Sequence, residues 1–97
     1  MASGDAVNGL SSVGSGAYLT IQPGAGVEWI IHNIFVPDGS SSGVEVYAWT
    51  GATYILIATI TSSMLTHNFH VTNAYYMKLK NLAGGAIYLG YDGIVVK

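Results

Sequence analysis

The sequence has 97 residues, of which 51% are hydrophobic and 8% are charged, and its formal net charge is −2. This length suffices for one domain, and the charged fraction lies far below the usual value of about 25%. With no arginine and three lysines, the chain is a poor match for nucleic-acid phosphates. The absence of cysteine excludes disulfides and thiolate metal sites.

Low charge and high apolar content together predict a surface that partner subunits cover, since a free monomer of this kind is prone to aggregate. The first residues lack the basic and apolar regions of a signal peptide. No apolar stretch approaches the ~20 residues that span a bilayer. We therefore expect a protein that is made in a cytoplasm, uses no membrane, and stays soluble or enters an assembly there.

Residues 1–16 are rich in Gly, Ser and Ala and are predicted to form an extended N-terminal arm. Their composition fits either a frayed terminus or an arm that reaches a neighbouring subunit. Residues 17–97 are predicted to form a single domain, because runs of β-branched and aromatic residues alternate with turn residues and no helical period is sustained.

The runs after the arm predict short strands at near-regular spacing. They are Ala17–Gln22, Val27–Val36, Val44–Trp49, Tyr54–Ile60, Leu65–Val71, Tyr75–Lys80, Ala86–Tyr91 and Ile94–Val96, with a loop predicted over 37–43. The fold class is therefore all-β. We expect a small antiparallel β-sandwich or barrel of about seven or eight short strands with an extended N-terminal arm.

Two hairpins are predicted from turn residues between adjacent runs. The first joins Val44–Trp49 to Tyr54–Ile60, and the second joins Tyr75–Lys80 to Ala86–Tyr91 across 81–85.

Two of the predicted strands are apolar on both faces, although a half-buried antiparallel strand should have one polar face. In the strand after Val27, alternation puts Trp29 and Ile31 on one side and Ile30, Ile34 and Val36 on the other. The run 54–60 behaves in the same way. A sandwich covers one face, so the second face needs a partner subunit, the N-terminal arm or a long loop.

No catalytic, cofactor or metal site is predicted. His67 and His70 are three residues apart and would point to opposite faces of a strand, and His32 has no nearby companion. The acidic residues are scattered, so no carboxylate pair of the glycosidase type is recognised. The aromatic residues are better candidates, since exposed rings stack on sugars or anchor protein interfaces.

Four segments resemble small virion proteins of tailed bacteriophages: Glu28–Ile34, Val44–Gly51, Phe69–Tyr76 and Gly90–Gly93. The resemblance covers most of the chain after Val27 and consists of short phrases. It implies a capsid decoration or cement subunit, or a related fibre or neck component, that is built as an oligomeric β-sandwich. It carries over no catalytic residue, and the first sixteen residues lie outside it.

We therefore expect a non-enzymatic virion structural protein that decorates or stabilises a capsid through protein–protein assembly. The expected partners are the major capsid protein or other virion subunits, together with further copies of the chain. The alternative is a carbohydrate- or host-surface-binding module of a phage fibre. The predicted interface residues are apolar or aromatic: Val7, Leu10, Val13, Ile30, Ile34, Trp49 and Tyr76.

Overall fold

The computed structural model describes residues 3–37 and 43–97. Within these residues the chain forms eight β-strands and no helix. The strands are β1 (Ala6–Val13), β2 (Tyr18–Ile21), β3 (Glu28–Phe35), β4 (Val44–Trp49), β5 (Tyr54–Ile60), β6 (Phe69–Thr72), β7 (Tyr76–Asn81) and β8 (Ile87–Val95). Most of the predicted loop over 37–43 lies outside the described residues.

The strands form two four-stranded antiparallel sheets, which confirms the predicted β-sandwich. Sheet I has the order β1-β8-β3-β6, and sheet II has the order β2-β7-β4-β5. The pairs β1–β8, β2–β7, β3–β6 and β4–β5 are all present, so strands pair from the ends of the chain inward. This is the connectivity of a jelly roll, in which two Greek keys build a double sheet.

The core lies between the two sheets, and strand alternation decides which side chains reach it. In β4, Val44 and Val46 are buried, while the alternating Glu45 and Tyr47 are half-buried on the outer face. In β7, Met77 and Leu79 are buried in the same way. Sheet I contributes the fully buried Leu89 among others. Polar and aromatic side chains of these central strands are therefore displayed outside the sandwich.

The first predicted hairpin is confirmed, because β4 and β5 pair along their whole lengths with the predicted bounds. The second is wrong: β7 belongs to sheet II and β8 to sheet I, so the segment between them crosses from one sheet to the other. The buried Asn81 holds this crossing. Its side-chain amide donates to the carbonyls of Val13 and Gly85, both at 2.9 Å, and its oxygen accepts from the Ala83 N–H at 2.7 Å.

The residues predicted to form an N-terminal arm contain a strand of the sandwich. β1 pairs with β8 from Ala6 to Val13, and the side chains of Val7 and Val13 are each only 5% exposed. These two valines are an even number of residues apart and so reach the same face. Between them, Gly9 makes room for the Tyr91 ring, which a Cβ at that position would approach to 2.7 Å.

A β-bulge largely explains why simple alternation of its residues predicts that β3 is apolar on both faces. Ile31 pairs with Gly93 and Asn33 pairs with Asp92, so His32 is an extra residue that reverses the alternation. The prediction that Ile34 and Val36 lie opposite Trp29 and Ile31 is therefore wrong, since all four side chains are buried in the core.

The last two predicted runs, Ala86–Tyr91 and Ile94–Val96, form one continuous strand, β8. The predicted strand Leu65–Val71 is strand only over Phe69–Thr72, while Met64 makes an isolated bridge to Ile34.

Candidate binding surfaces

The outer face of sheet II carries a cluster of aromatic and basic side chains, which we call the aromatic–lysine face. It consists of Tyr18 on β2, Tyr47 and Trp49 on β4, Tyr54 on β5, and Lys78 and Lys80 on β7. Residues two apart in a strand share a face, which is why one tyrosine–tryptophan pair and one lysine pair stand side by side. Pairing of Tyr47 with Lys78 across β4 and β7 then brings the two groups together.

Each of the four rings contacts two others. Trp49 and Tyr54 are stacked at 4.8 Å between centroids and 23°, and Tyr54 meets Tyr47 edge-on at 5.5 Å. Tyr18 contacts Tyr47 at 6.3 Å and Trp49 at 6.4 Å. Offset and edge-to-face pairs at such distances are favourable beyond the area they bury. The four rings thus form one connected aromatic surface across β2, β4 and β5.

Both lysine ammonium groups of this face lie against aromatic rings. The Lys78 Nζ is 4.5 Å from the Trp49 centroid and 5.4 Å from that of Tyr18, and the Lys80 Nζ is 5.8 Å from the Tyr18 centroid. These distances permit cation–π attraction. In the part of the chain that the structure describes, neither lysine forms a salt bridge.

The acidic residue of the same outer face is Glu45, and it is engaged by a neighbour. The Tyr47 hydroxyl donates to its carboxylate at 2.9 Å. This hydrogen bond, together with burial, raises the pKa of Tyr47 to about 12. Glu45 therefore fixes the Tyr47 hydroxyl rather than neutralising a lysine by direct contact.

The rings of the aromatic–lysine face differ in how accessible they are. Trp49 is covered by Tyr54, Tyr18 and Lys78, and its indole N–H is buried with no acceptor among the described residues. Tyr18 and Tyr54 are 42% and 58% exposed. A ligand would therefore meet these two tyrosines first, with Trp49 as their support.

A second exposed surface is one of the two edge strands of sheet II, Tyr54–Ile60, which we call the β5 edge. Within residues 3–37 and 43–97 this strand pairs only with β4, and no described strand lies on its other side. Its seven residues, Tyr-Ile-Leu-Ile-Ala-Thr-Ile, include no charge and no proline. Ile55 pairs with the buried Ala48 and shares its inner face, yet it is 68% exposed. The sandwich therefore leaves this edge uncovered on its inner face as well as its outer one.

The outer face of sheet I has a polar depression of about 470 Å³ beside the β3 bulge. Asn33 donates to the Asp92 carboxylate at 2.6 Å and accepts from the Thr66 N–H at 3.0 Å, with Thr66 at a φ of 61°. The His32 ring nitrogen Nδ1 lies 3.0 Å from the His67 carbonyl. These groups satisfy one another and hold the bulge in place. Among the described residues, no group of three or more His, Cys, Asp or Glu side chains is placed to hold a metal ion.

The structure separates the predicted interface residues into two groups. Val7, Val13 and Ile34 lie in the core and are not accessible to a partner. Leu10 is exposed on the outer face of sheet I, where Ile30 is half-buried.

Trp49 and Tyr76 are brought together, because they pair across β4 and β7 on the outer face of sheet II. Sequence reasoning missed the lysines beside them. The spacing of Lys78 and Lys80, two apart in one strand, was the available signal.

No protein-family model matches the sequence, and no curated protein matches it. Within residues 3–37 and 43–97, no helix is long and apolar enough to cross a membrane.

Proposed function

We propose that this chain is a non-enzymatic structural subunit that works by assembling with further copies of itself and with a larger protein lattice. The lattice we propose is the capsid of a tailed bacteriophage, which the chain would decorate in the virion. The single observation that supports assembly is the β5 edge, which has no strand neighbour on its open side among the described residues and exposes apolar side chains on both faces.

The β5 edge lacks most of the features that keep sheet edges from pairing. Such features are charges, prolines, short strands and bulges. β5 has seven residues and one bulge, at Ile57, and neither charge nor proline. Fully burying a side chain such as Ile55 contributes about 1.5–3 kcal/mol. Burial of this strand against a partner would therefore lower the free energy, and an exposed strand of this kind is prone to aggregate.

The virion setting is supported by the resemblance of four segments to small phage virion proteins. Jelly rolls occur in viral capsid proteins, and also in lectins and other families. The fold is therefore compatible with the proposal, but a fold shared by many functions does not support one of them by itself, and the support has to come from the surface residues.

A charge placed on the β5 edge tests the assembly. Ile55→Lys should lower the solution mass measured by light scattering toward that of a monomer, because the lysine would have to be desolvated at the contact. The matched control is Ser12→Lys, which adds the same charge at an exposed position of β1. Oligomers that persist in Ile55→Lys would contradict the proposed role of the edge.

A second candidate function is carbohydrate or host-surface binding, and the aromatic–lysine face favours it. Exposed Tyr18 and Tyr54 rings are supported by Trp49 on a rigid sheet, as in a platform for sugar rings. On a glycan array, the wild-type protein should bind at least one glycan, and the Trp49→Ala variant should not bind it. An array without any bound glycan would remove this candidate.

A further inference from the structure

We infer that the aromatic–lysine face binds saccharides that carry an acidic group, a carboxylate or a sulfate. The inference rests on the second candidate function and names the class of ligand for it. It is independent of assembly through the β5 edge.

The charge of the face is opposite to that of the whole chain. The formal net charge is −2, yet two of the three lysines stand two residues apart on this one surface. The third, Lys97, lies 3.6 Å from Glu28, whose carboxylate also contacts His70. Lys78 and Lys80 have no such ion pair among the described residues. Glu45 lies on the same face and pairs with Lys80 across β4 and β7, so the face holds two ammonium groups against one carboxylate and is net positive.

The position of the two ammonium groups relative to the rings suggests a sugar acid. The Nζ atoms of Lys78 and Lys80 lie over the Tyr18 ring, 5.4 and 5.8 Å from its centroid, and Tyr18 is still 42% exposed. A pyranose ring whose C–H face stacks on Tyr18 would hold an acidic substituent beside one or both lysines. Charge-assisted hydrogen bonds would then form at the edge of the stacked ring.

The face is also held in place before any ligand arrives. Lys78 and Lys80 belong to β7, a central strand that pairs on both sides, and the rings brace one another across three strands. Fewer rotamers then have to be frozen on binding, which favours affinity. An acidic peptide would satisfy the lysines but would offer no flat C–H face to the tyrosines, so a saccharide is the better fit.

Gel electrophoresis through immobilised polymers tests the inference. The acidic polymers are polygalacturonate, alginate, hyaluronate and heparin, and the comparison polymers are neutral dextran and acidic polyglutamate. We expect at least one acidic polysaccharide to retard the protein at low salt, with no retardation by dextran or polyglutamate. Lys78→Gln should weaken that binding by about fivefold, the upper range for one exposed ion pair. Tyr18→Leu should also weaken it, because the stacking surface is lost.

Lys97→Gln is the matched control, because it changes the net charge by the same amount at an ion pair away from the face. It should bind like the wild type. Equal weakening by Lys78→Gln and Lys97→Gln would mean that net charge, not this face, governs binding, and the inference would be overturned. Equal retardation by dextran would overturn the acidic preference while leaving carbohydrate binding in place. Retardation by polyglutamate, or by no polymer, would overturn both the acidic preference and carbohydrate binding. Circular dichroism checks that each variant is folded.

Discussion

Replacing Asn81 by alanine tests how the two sheets are joined. The Asn81 side chain makes three hydrogen bonds: to the Val13 carbonyl in sheet I, to the Gly85 carbonyl, and from the Ala83 N–H. Each contributes about 1 kcal/mol net, so Asn81→Ala should lower the free energy of unfolding by about 3 kcal/mol. That is a large share of the roughly 5–15 kcal/mol by which a domain is stable.

Urea denaturation measures this loss, with an unchanged slope showing that the same surface is exposed on unfolding. Asn73→Ala is the control, since the exposed Asn73 side chain donates a single hydrogen bond to the Pro23 carbonyl at 3.2 Å. It should lose about 1 kcal/mol or less. If Asn81→Ala lowers the free energy of unfolding no more than Asn73→Ala does, the crossing between β7 and β8 does not depend on the Asn81 side chain.

Two further predictions follow from the packing and the electrostatics. A Cβ at Gly93 would lie 2.8 Å from the Cα of Ile31, a backbone atom that no rotamer change can move. Gly93→Ala should therefore lower the free energy of unfolding by about 3 kcal/mol. Gly85→Ala, whose methyl group enters open space, should change this free energy by less than about 0.5 kcal/mol. Equal losses in the two variants would contradict the bulge geometry. Ultraviolet titration should show Tyr47 ionising at about 12, against an ordinary value of 10.0. Because the folded pKa is raised, its contribution to stability is complete below pH 10 and is lost as the pH rises toward 12. Glu45→Gln should move the pKa of Tyr47 back toward its ordinary value, and an unchanged titration would contradict the role of that carboxylate.

The local parts of the fold could be predicted from the sequence. Val44–Trp49 and Tyr54–Ile60 are uninterrupted runs of strand formers on either side of a short turn, and their bounds and pairing are as predicted. The sequence of β7, the turn and β8 has the same local character. What it does not encode is that these two strands enter different sheets, since that depends on contacts with β1, β2, β3 and β4.

Neither the N-terminal strand nor the bulge could be predicted from the local sequence, because both depend on contacts with distant strands. β1 is rich in Gly and Ser, and its strand character comes from pairing with β8 and from burying Val7 and Val13. The bulge at His32 adds one residue, and its place depends on the close approach of Gly93 to β3. Tertiary contacts override local propensity at both places.

In the candidate site, too, the sequence predicts the arrangement within each strand but not the arrangement of the strands. Alternation alone predicts that Tyr47 and Trp49 share a face, and that Lys78 and Lys80 share one. That the two pairs adjoin follows from the pairing of β4 with β7. The contribution of Tyr18 requires that β2, far away in sequence, lies on the other side of β7.

Amide hydrogen exchange on the wild-type chain, in dilute and in concentrated solution, tests assembly through the β5 edge most directly. We predict that the amides of Tyr54–Ile60 on the side away from β4 become protected as the concentration rises, because that side pairs with or is covered by another copy. The amides of Ala6–Val13, which is one of the two edge strands of sheet I, should exchange at the same rate at both concentrations. Exchange at the β5 edge that is fast and independent of concentration would contradict the account.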